Sequence, residues 1–330
     1  MKKPNLRVLA SKAGVSVNTA SRAINDKPDI NPLTKEKILR IAREIGYVPN
    51  ASAVALRTQK TRTLGVIIAD NNNPFYAEVL SGIEAEAKTN NYHIILTNTR
   101  RNYQEEENAI DLLLAKQVDG LLIAPVQEKN EDIYKLIDSK IPFVVVGRDY
   151  EDLSIDAVYS DELKGGYIAT EYLIRKGFKN ISYIGGYTYK SPARRRLEGY
   201  KKALTDYGIA IKENLIKIGD IDIKDGYNQT KDMFDQGINF QAIFAYNDMM
   251  AFGAVKAIKE RGLEIPGDIG VVGYDNILFS SLVSPPLTTV NLKKDELGRE
   301  SVRLLLSKIN GYRKKNKKIV LDVDLLIRGT

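Results

Sequence analysis

Cysteine is absent from this 330-residue chain, and histidine occurs once, at His93. The first absence excludes disulfides, a thiolate nucleophile and any cysteine-ligated metal site, and it fits a reducing compartment. The single histidine lies in a strand-like run, YHIILTNT, and reads as an edge or internally satisfied residue rather than a catalyst. No nucleophile elbow appears, Gly185 and Gly186 lack the rest of a dinucleotide fingerprint, and there is no phosphate loop. Hydrolytic and redox catalysis therefore have no visible machinery. No apolar run approaches the length of a bilayer span, and the opening MKKPNLRVLASKAG has lysines but no continuous apolar stretch of a secretion signal. The expectation is a cytoplasmic protein that is not an enzyme, with no metal, no cofactor and no membrane partner.

What is present is length and localised charge. The chain suffices for two or three folding units, and 43% hydrophobic with 28% charged residues is ordinary for a globular protein. The net charge is +7, yet residues 1–60 alone hold twelve Lys and Arg against four Asp and Glu, a balance of +8; the other 270 residues hold 37 against 38. A basic segment on a neutral body is the footprint of a polyanion partner.

That segment has helical patterning. Asn5 can cap a helix running to about Gly14, with Leu6, Leu9, Ala10 and Ala13 at helical spacing. Gly14 permits the positive φ of a tight turn. Ser16 then caps a second helix with Val17, Ala20 and Ile24 facing inward, and Thr34 opens a third whose stripe is Ile38, Ile41, Ala42 and Ile45, Pro28 and Pro32 breaking the chain between them. Two helices joined by a glycine-containing turn make a helix-turn-helix, whose second helix reads the major groove of DNA. Asn18 and Arg22 are the residue types that pair with adenine and guanine edges, while Ser16 and Ser21 suit phosphates or either base. From Thr63 onward strands and helices alternate in two series, which means α/β architecture with parallel sheets covered on both faces. Two such series suggest two lobes with a ligand cleft at the strand ends.

The segments AGVSVNTASRAIN, GYVPNASAVAL, LGVIIADNNNPFYAEVLSGIE, VDGLLIAP, PARRRLEGYKKAL, FAYNDMMAFGAVKAI, VVGYDN and PPLTTV occur in that order, and through them the chain resembles the lactose/galactose repressor (LacI/GalR) family over its full length. The resemblance implies a homodimeric repressor of a pseudo-palindromic double-stranded operator. It would comprise a headpiece at 1–49, a hinge helix and linker at 50–60, and a core at 61–330 like periplasmic sugar-binding proteins. The chain would cross three times between an N-lobe (about 61–160 and 292–310) and a C-lobe (about 162–288 and 319–330). Carried over by position, the DNA contacts are Leu6, Ser16, Val17, Asn18, Ser21, Arg22, Asn25, Asn31, Thr34 and Tyr47, with hinge contacts at Asn50, Ala53 and Leu56. Val8, Ala20, Val54 and Asn31 depart from the residues common there; Val54 removes one minor-groove charge. Leu56 ends an alanine-rich stretch too short to be a stable helix alone, and it has the character of a wedge between base pairs.

By the same mapping the effector cleft comprises Asp70, Phe75, Tyr76, Arg148, Arg196, Asn247 and Asp275. Arginine and carboxylates make charge-assisted hydrogen bonds to neighbouring hydroxyls, and the two aromatics offer an apolar face to a sugar ring or a base. Ile221 stands where an aromatic is common. Arg194, Arg195 and Arg196 cannot all face the cleft from one turn; Arg196 is assigned to it and the others to solvent or salt bridges. RKKNKK at 313–318 reads as a solvated loop. The implied function is a repressor of carbohydrate-utilisation genes, controlled by a small-molecule effector, a sugar or sugar derivative. A purine-type corepressor is the alternative, since purine-responsive members share an equivalent of Asp275. A sugar-binding protein without DNA function would carry an export signal and no basic headpiece.

Overall fold

The computed structural model describes residues 4–48, 60–126 and 129–330, and the chain divides into two compact units, Met1–Arg62 and Thr63–Thr330. In the first, α1 (Leu6–Ala13), α2 (Val17–Ile24) and α3 (Pro32–Glu44) enclose a small core of Leu9, Ala13, Ala23, Ile38 and Ala42. Asn5 Oδ1 accepts the Val8 amide at 3.1 Å, and α1 ends at Gly14 with φ 67°. Ser16 Oγ accepts the Thr19 amide at 3.0 Å to start α2. Two expectations are corrected here. The third helix starts at Pro32, capped by Asn31, because proline at the first helical position loses no hydrogen bond. Val17 is 44% exposed rather than inward, since the small core is already filled by alanines and by Ile24 and Ile30 at its edge.

The second unit contains two six-stranded sheets. The first is ordered β11-β5-β4-β3-β1-β2 and comprises β1 (Thr63–Ile68), β2 (His93–Asn98), β3 (Gly120–Ile123), β4 (Phe143–Val146), β5 (Ala157–Ser160) and β11 (Lys318–Leu321), all parallel. The second is ordered β12-β10-β9-β8-β6-β7. It comprises β6 (Ile181–Gly186), β7 (Ile216–Gly219), β8 (Ala242–Ala245), β9 (Gly270–Asp275), β10 (Thr288–Asn291) and β12 (Asp324–Leu326), the last antiparallel to β10. Alternate residues of each strand enter opposite cores. Leu64, Val66 and Ile68 join Val79, Ile83, Leu297 and Val302, from α4 (Pro74–Thr89) and α11 (Lys294–Ile309), whereas Ile67 joins Ile110 and Leu113 of α5 (Tyr103–Ala115) and Ile133 of α6 (Glu131–Ser139). The second sheet is sandwiched likewise, by α7 (Glu162–Arg175) and α8 (Ser191–Asp206) on one face and by α9 (Ile223–Asp235) and α10 (Asp248–Glu260) on the other.

The chain passes between the sheets three times: after β5, after β10, and between β11 and β12. The reading that gave 319–330 wholly to the second lobe is thus corrected. Lys318–Leu321 pairs with Ala157–Ser160 in the first sheet, and the last passage falls at Asp322–Val323. The basic run at 313–318 is anchored at both ends, because Arg313 reaches buried Asp156 at 2.7 Å and Lys318 reaches Asp149 at 2.7 Å. His93 is exposed at the start of β2, an edge strand.

Candidate functional site

In the first unit the short side chains of α2 leave its outer face uncluttered. Ser16, Val17, Asn18 and Asn25 are exposed there, and Ser21 and Arg22 are partly exposed. Arg22 forms an ion pair with Asp29, which holds that carboxyl below its usual range. Asn25 Nδ2 donates to the Ser21 carbonyl at 2.6 Å. Asn31 Oδ1 accepts the Leu33 amide at 2.9 Å, so its acceptor serves the helix. Thr34 lies half-buried in the first turn of α3. Leu6 and Tyr47 pack against the small core, and burial raises the Tyr47 phenol. Asn50, Ala53 and Leu56 lie outside the described residues.

In the second unit a cavity of ≈ 100 Å³ opens where strand ends of both sheets meet. Phe75, Tyr76, Arg148, Arg196, Asn247 and Asp275 all line it. Parallel strands explain why: Arg148 follows β4, Asn247 follows β8 and Asp275 ends β9, so each leaves its sheet at the same edge. Asp70 does not line it. It stands one step behind, 3.0 Å from Arg101, which does.

The floor is a buried ionic cluster. Arg196 Nε donates to Glu162 Oε2 at 2.6 Å and Nη1 to the Tyr246 carbonyl at 2.6 Å, while Asp275 Oδ1 lies 3.7 Å from Nη1. The guanidinium sits over the rings of Tyr274 and Tyr246, 3.6 and 4.3 Å from their centroids. Burial, against the pull of Arg196, pushes the Asp275 carboxyl up to about 8, so at neutral pH it can donate a hydrogen bond as well as accept one. Its backbone has φ 103°, a strained value for a residue with a side chain. Lys294 holds it there by donating to the carbonyls of Asp275 at 2.5 Å and Asn276 at 2.7 Å. Behind it, Asp248 accepts from Ser280 and Thr289 at 2.6 Å and from the Ile277 amide at 2.9 Å, and burial still lifts it to about 6. Asn247 caps α10 through the Met250 amide at 2.8 Å and donates to the Ile221 carbonyl at 3.1 Å.

Sequence reasoning missed Glu162, Tyr246, Arg101 and Lys190, all at the cavity wall. Glu162 and Tyr246 adjoin strand ends, a usable signal; Arg101 and Lys190 sit in connecting segments that carry none. Arg194 and Arg195 pair with Glu151 and Glu198 away from the cavity.

Comparison with known proteins matches both units. The family described as bacterial regulatory proteins, lacI family, covers residues 5–50, and periplasmic binding proteins and sugar binding domain of LacI family covers residues 61–328. The HTH-type transcriptional repressor PurR of Pasteurella multocida is 33% identical over 324 residues, 98% of this chain and 97% of that one. The ribose operon repressor of Escherichia coli is 33% identical over 327 residues, 98% of this chain and 99% of that one. The lac repressor dimer bound to operator and the anti-inducer ONPF has a TM-score of 0.90 at 30% identity, covering 100% of this chain and 99% of that one.

Proposed function

The chain belongs to the lacI family of bacterial regulatory proteins, DNA-binding repressors with an effector-binding domain, and from this we propose that its effector is a sugar and that it acts as a cytoplasmic homodimer on a pseudo-palindromic operator. The observation that carries the effector reading is the cavity floor. Arg196, Asp275 and Asn247 share the cavity lining with the aromatic side chains Phe75 and Tyr76, and polar groups beside apolar rings are the combination that binds a ring with hydroxyls on its edge. The DNA reading places Asn18 and Arg22 against base edges and Ser16 and Ser21 against phosphates. Asn50, Ala53 and Leu56 complete it in the minor groove. No helix among the described residues is long and apolar enough to cross a membrane.

Effector and DNA are coupled by a free energy that depends on how tightly each binds the alternative lobe arrangements. The test is a calorimetric screen of neutral sugars, sugar phosphates, sugar acids and purines against the full chain, followed by operator gel shifts with any binder. A sugar ligand that shifts operator affinity supports the reading. Binding by purines alone would overturn it in favour of the corepressor alternative.

A further inference from the structure

Lys294, the first residue of α11, is 3% exposed and does not line the cavity. Its root lies in the first lobe, where Gly82 of α4 comes so close to the carbonyl of the next residue, Asp295, that a Cβ there would collide with it. Its ammonium ends in the second lobe, donating to the carbonyls of Asp275 at 2.5 Å and Asn276 at 2.7 Å, at the end of β9. Among the described residues its ion pair is with Glu78 of α4, at 3.4 Å, back in the first lobe.

These bonds lie across a hinge. The chain leaves the second lobe after Asn291, the strand neighbour of Asp275, and enters α11 three residues later. The ammonium therefore fastens the chain on both sides of that passage, and a side chain as well as the backbone fixes the angle at which α11 departs from the second sheet. What it grips is strained. Asp275 and Asn276 have φ of 103° and 51°, values that residues with side chains keep only where their surroundings impose them. The grip also has an electrostatic reason. A buried ammonium needs hydrogen-bond acceptors and a counter-charge together; the carbonyls come from one lobe and the Glu78 carboxylate from the other. Its charge acts in turn on the carboxyls of Asp275 and Asp248, opposing the rise that burial imposes on each. Phe75, three residues before Glu78 and so on the same face of α4, packs against the cores of both lobes and lines the cavity. One end of the arrangement thus adjoins the cavity wall and the other its floor.

We propose that Lys294 is a hinge clamp and the residue that positions Asp275: stretched between Glu78 of the first lobe and the Asp275 and Asn276 carbonyls of the second, it holds the lobes at one angle and the floor carboxyl in one place. An effector that displaces Asp275 pulls on the clamp, and a change of lobe angle reaches Asp275 through it. The clamp needs no effector to form, so it stands for a sugar and for a purine alike.

The experiment exploits the absence of native cysteine. Lys116→Cys in the first lobe and Lys231→Cys in the second, both exposed, carry nitroxide labels on the full chain. With the labelled chain diluted in unlabelled chain and no ligand added, double electron–electron resonance reads the distance between the lobes. The doubly labelled chain is expected to give one principal distance. Adding Lys294→Met is expected to bring a second distance to at least about a tenth of the molecules, the upper end of an ordinary minor state. Adding Glu78→Gln instead, at a half-exposed position that folding tolerates, is expected to raise the same second distance to a smaller fraction. Distances unchanged in either variant, with circular dichroism showing it folded, would overturn the clamp. Should Lys294→Met fail to fold, Glu78→Gln decides alone.

Discussion

Arg22 and Arg196 carry the same charge in opposite circumstances. Arg196 is buried, forked between Glu162 and a backbone carbonyl, and stacked on two tyrosines. Arg22 is partly exposed and, among the described residues, paired with Asp29, so it can exchange that carboxylate for a guanine edge at little cost. Arg22→Ala is expected to weaken binding to the specific operator by about 1–3 kcal/mol and random DNA much less. Titrations on both DNAs decide it: equal losses would make Arg22 a phosphate contact. Residue by residue, the sequence is legible where geometry leaves no choice. Arg148, Asn247 and Asp275 stand at strand ends, and parallel strands send such residues to one edge. Asp70 shares that position but its carboxylate is drawn to Arg101, a partner that only the fold brings near. Lys190 and Arg101 were invisible because nothing periodic tells which way a loop side chain points.

At the scale of elements, three helix pairs share one device. Gly82 of α4 lies against the Asp295 carbonyl of α11 and Gly298 of α11 against that of Val79; Gly166 and Gly199 relate α7 to α8, and Gly226 and Gly253 relate α9 to α10, in the same way. A Cβ at any of the six would collide with backbone of the partner helix. Close approach of α7 and α8 is also what brings Glu162 to Arg196. Gly253→Ala would gain helix propensity of about 1 kcal/mol, but overpacking costs about 1–3 kcal/mol and the carbonyl of Ile223 cannot step aside. The expected outcome is net destabilisation, read as a lower urea midpoint; an unchanged or raised midpoint would show that the helices can separate cheaply. Periodicity made the elements themselves readable, and caps at Asn5 and Ser16 fixed two starts. The glycines gave no such signal, because in a sequence a mid-helix glycine looks only like a weak point. Pro32 misled for the converse reason: read as a breaker, it occupies the one helical position that suits it.

Across the whole molecule, the cavity floor ties stability to pH. The Asp275 carboxyl titrates near its ordinary value of 3.8 when unfolded and at about 8 when folded, because burial disfavours its charge. Between those values the folded state holds a proton that the unfolded state has lost. Stability therefore falls as pH rises toward 8, by up to about 1.4 kcal/mol per unit from this group. Asp248 adds the same tendency only up to about 6. Urea midpoints at pH 6.5 and 7.5 should thus differ in the native chain and draw together in Asp275→Asn; a difference that survives the substitution would place the proton elsewhere. The three passages between lobes have another consequence, which concerns how the chain is made. β5 ends at Ser160, yet the helix that seals its lobe, α11, begins at Lys294, and the strand that flanks β5 begins at Lys318. At about 5–20 residues per second a ribosome takes on the order of 10–30 s to cover that interval. Throughout it, the apolar side chains that Leu297, Val302 and Leu305 later cover stand bare. Neither half can be finished and set aside while the other is being built, so the nascent chain keeps apolar surface uncovered for longer than two consecutive, self-contained domains of the same size would.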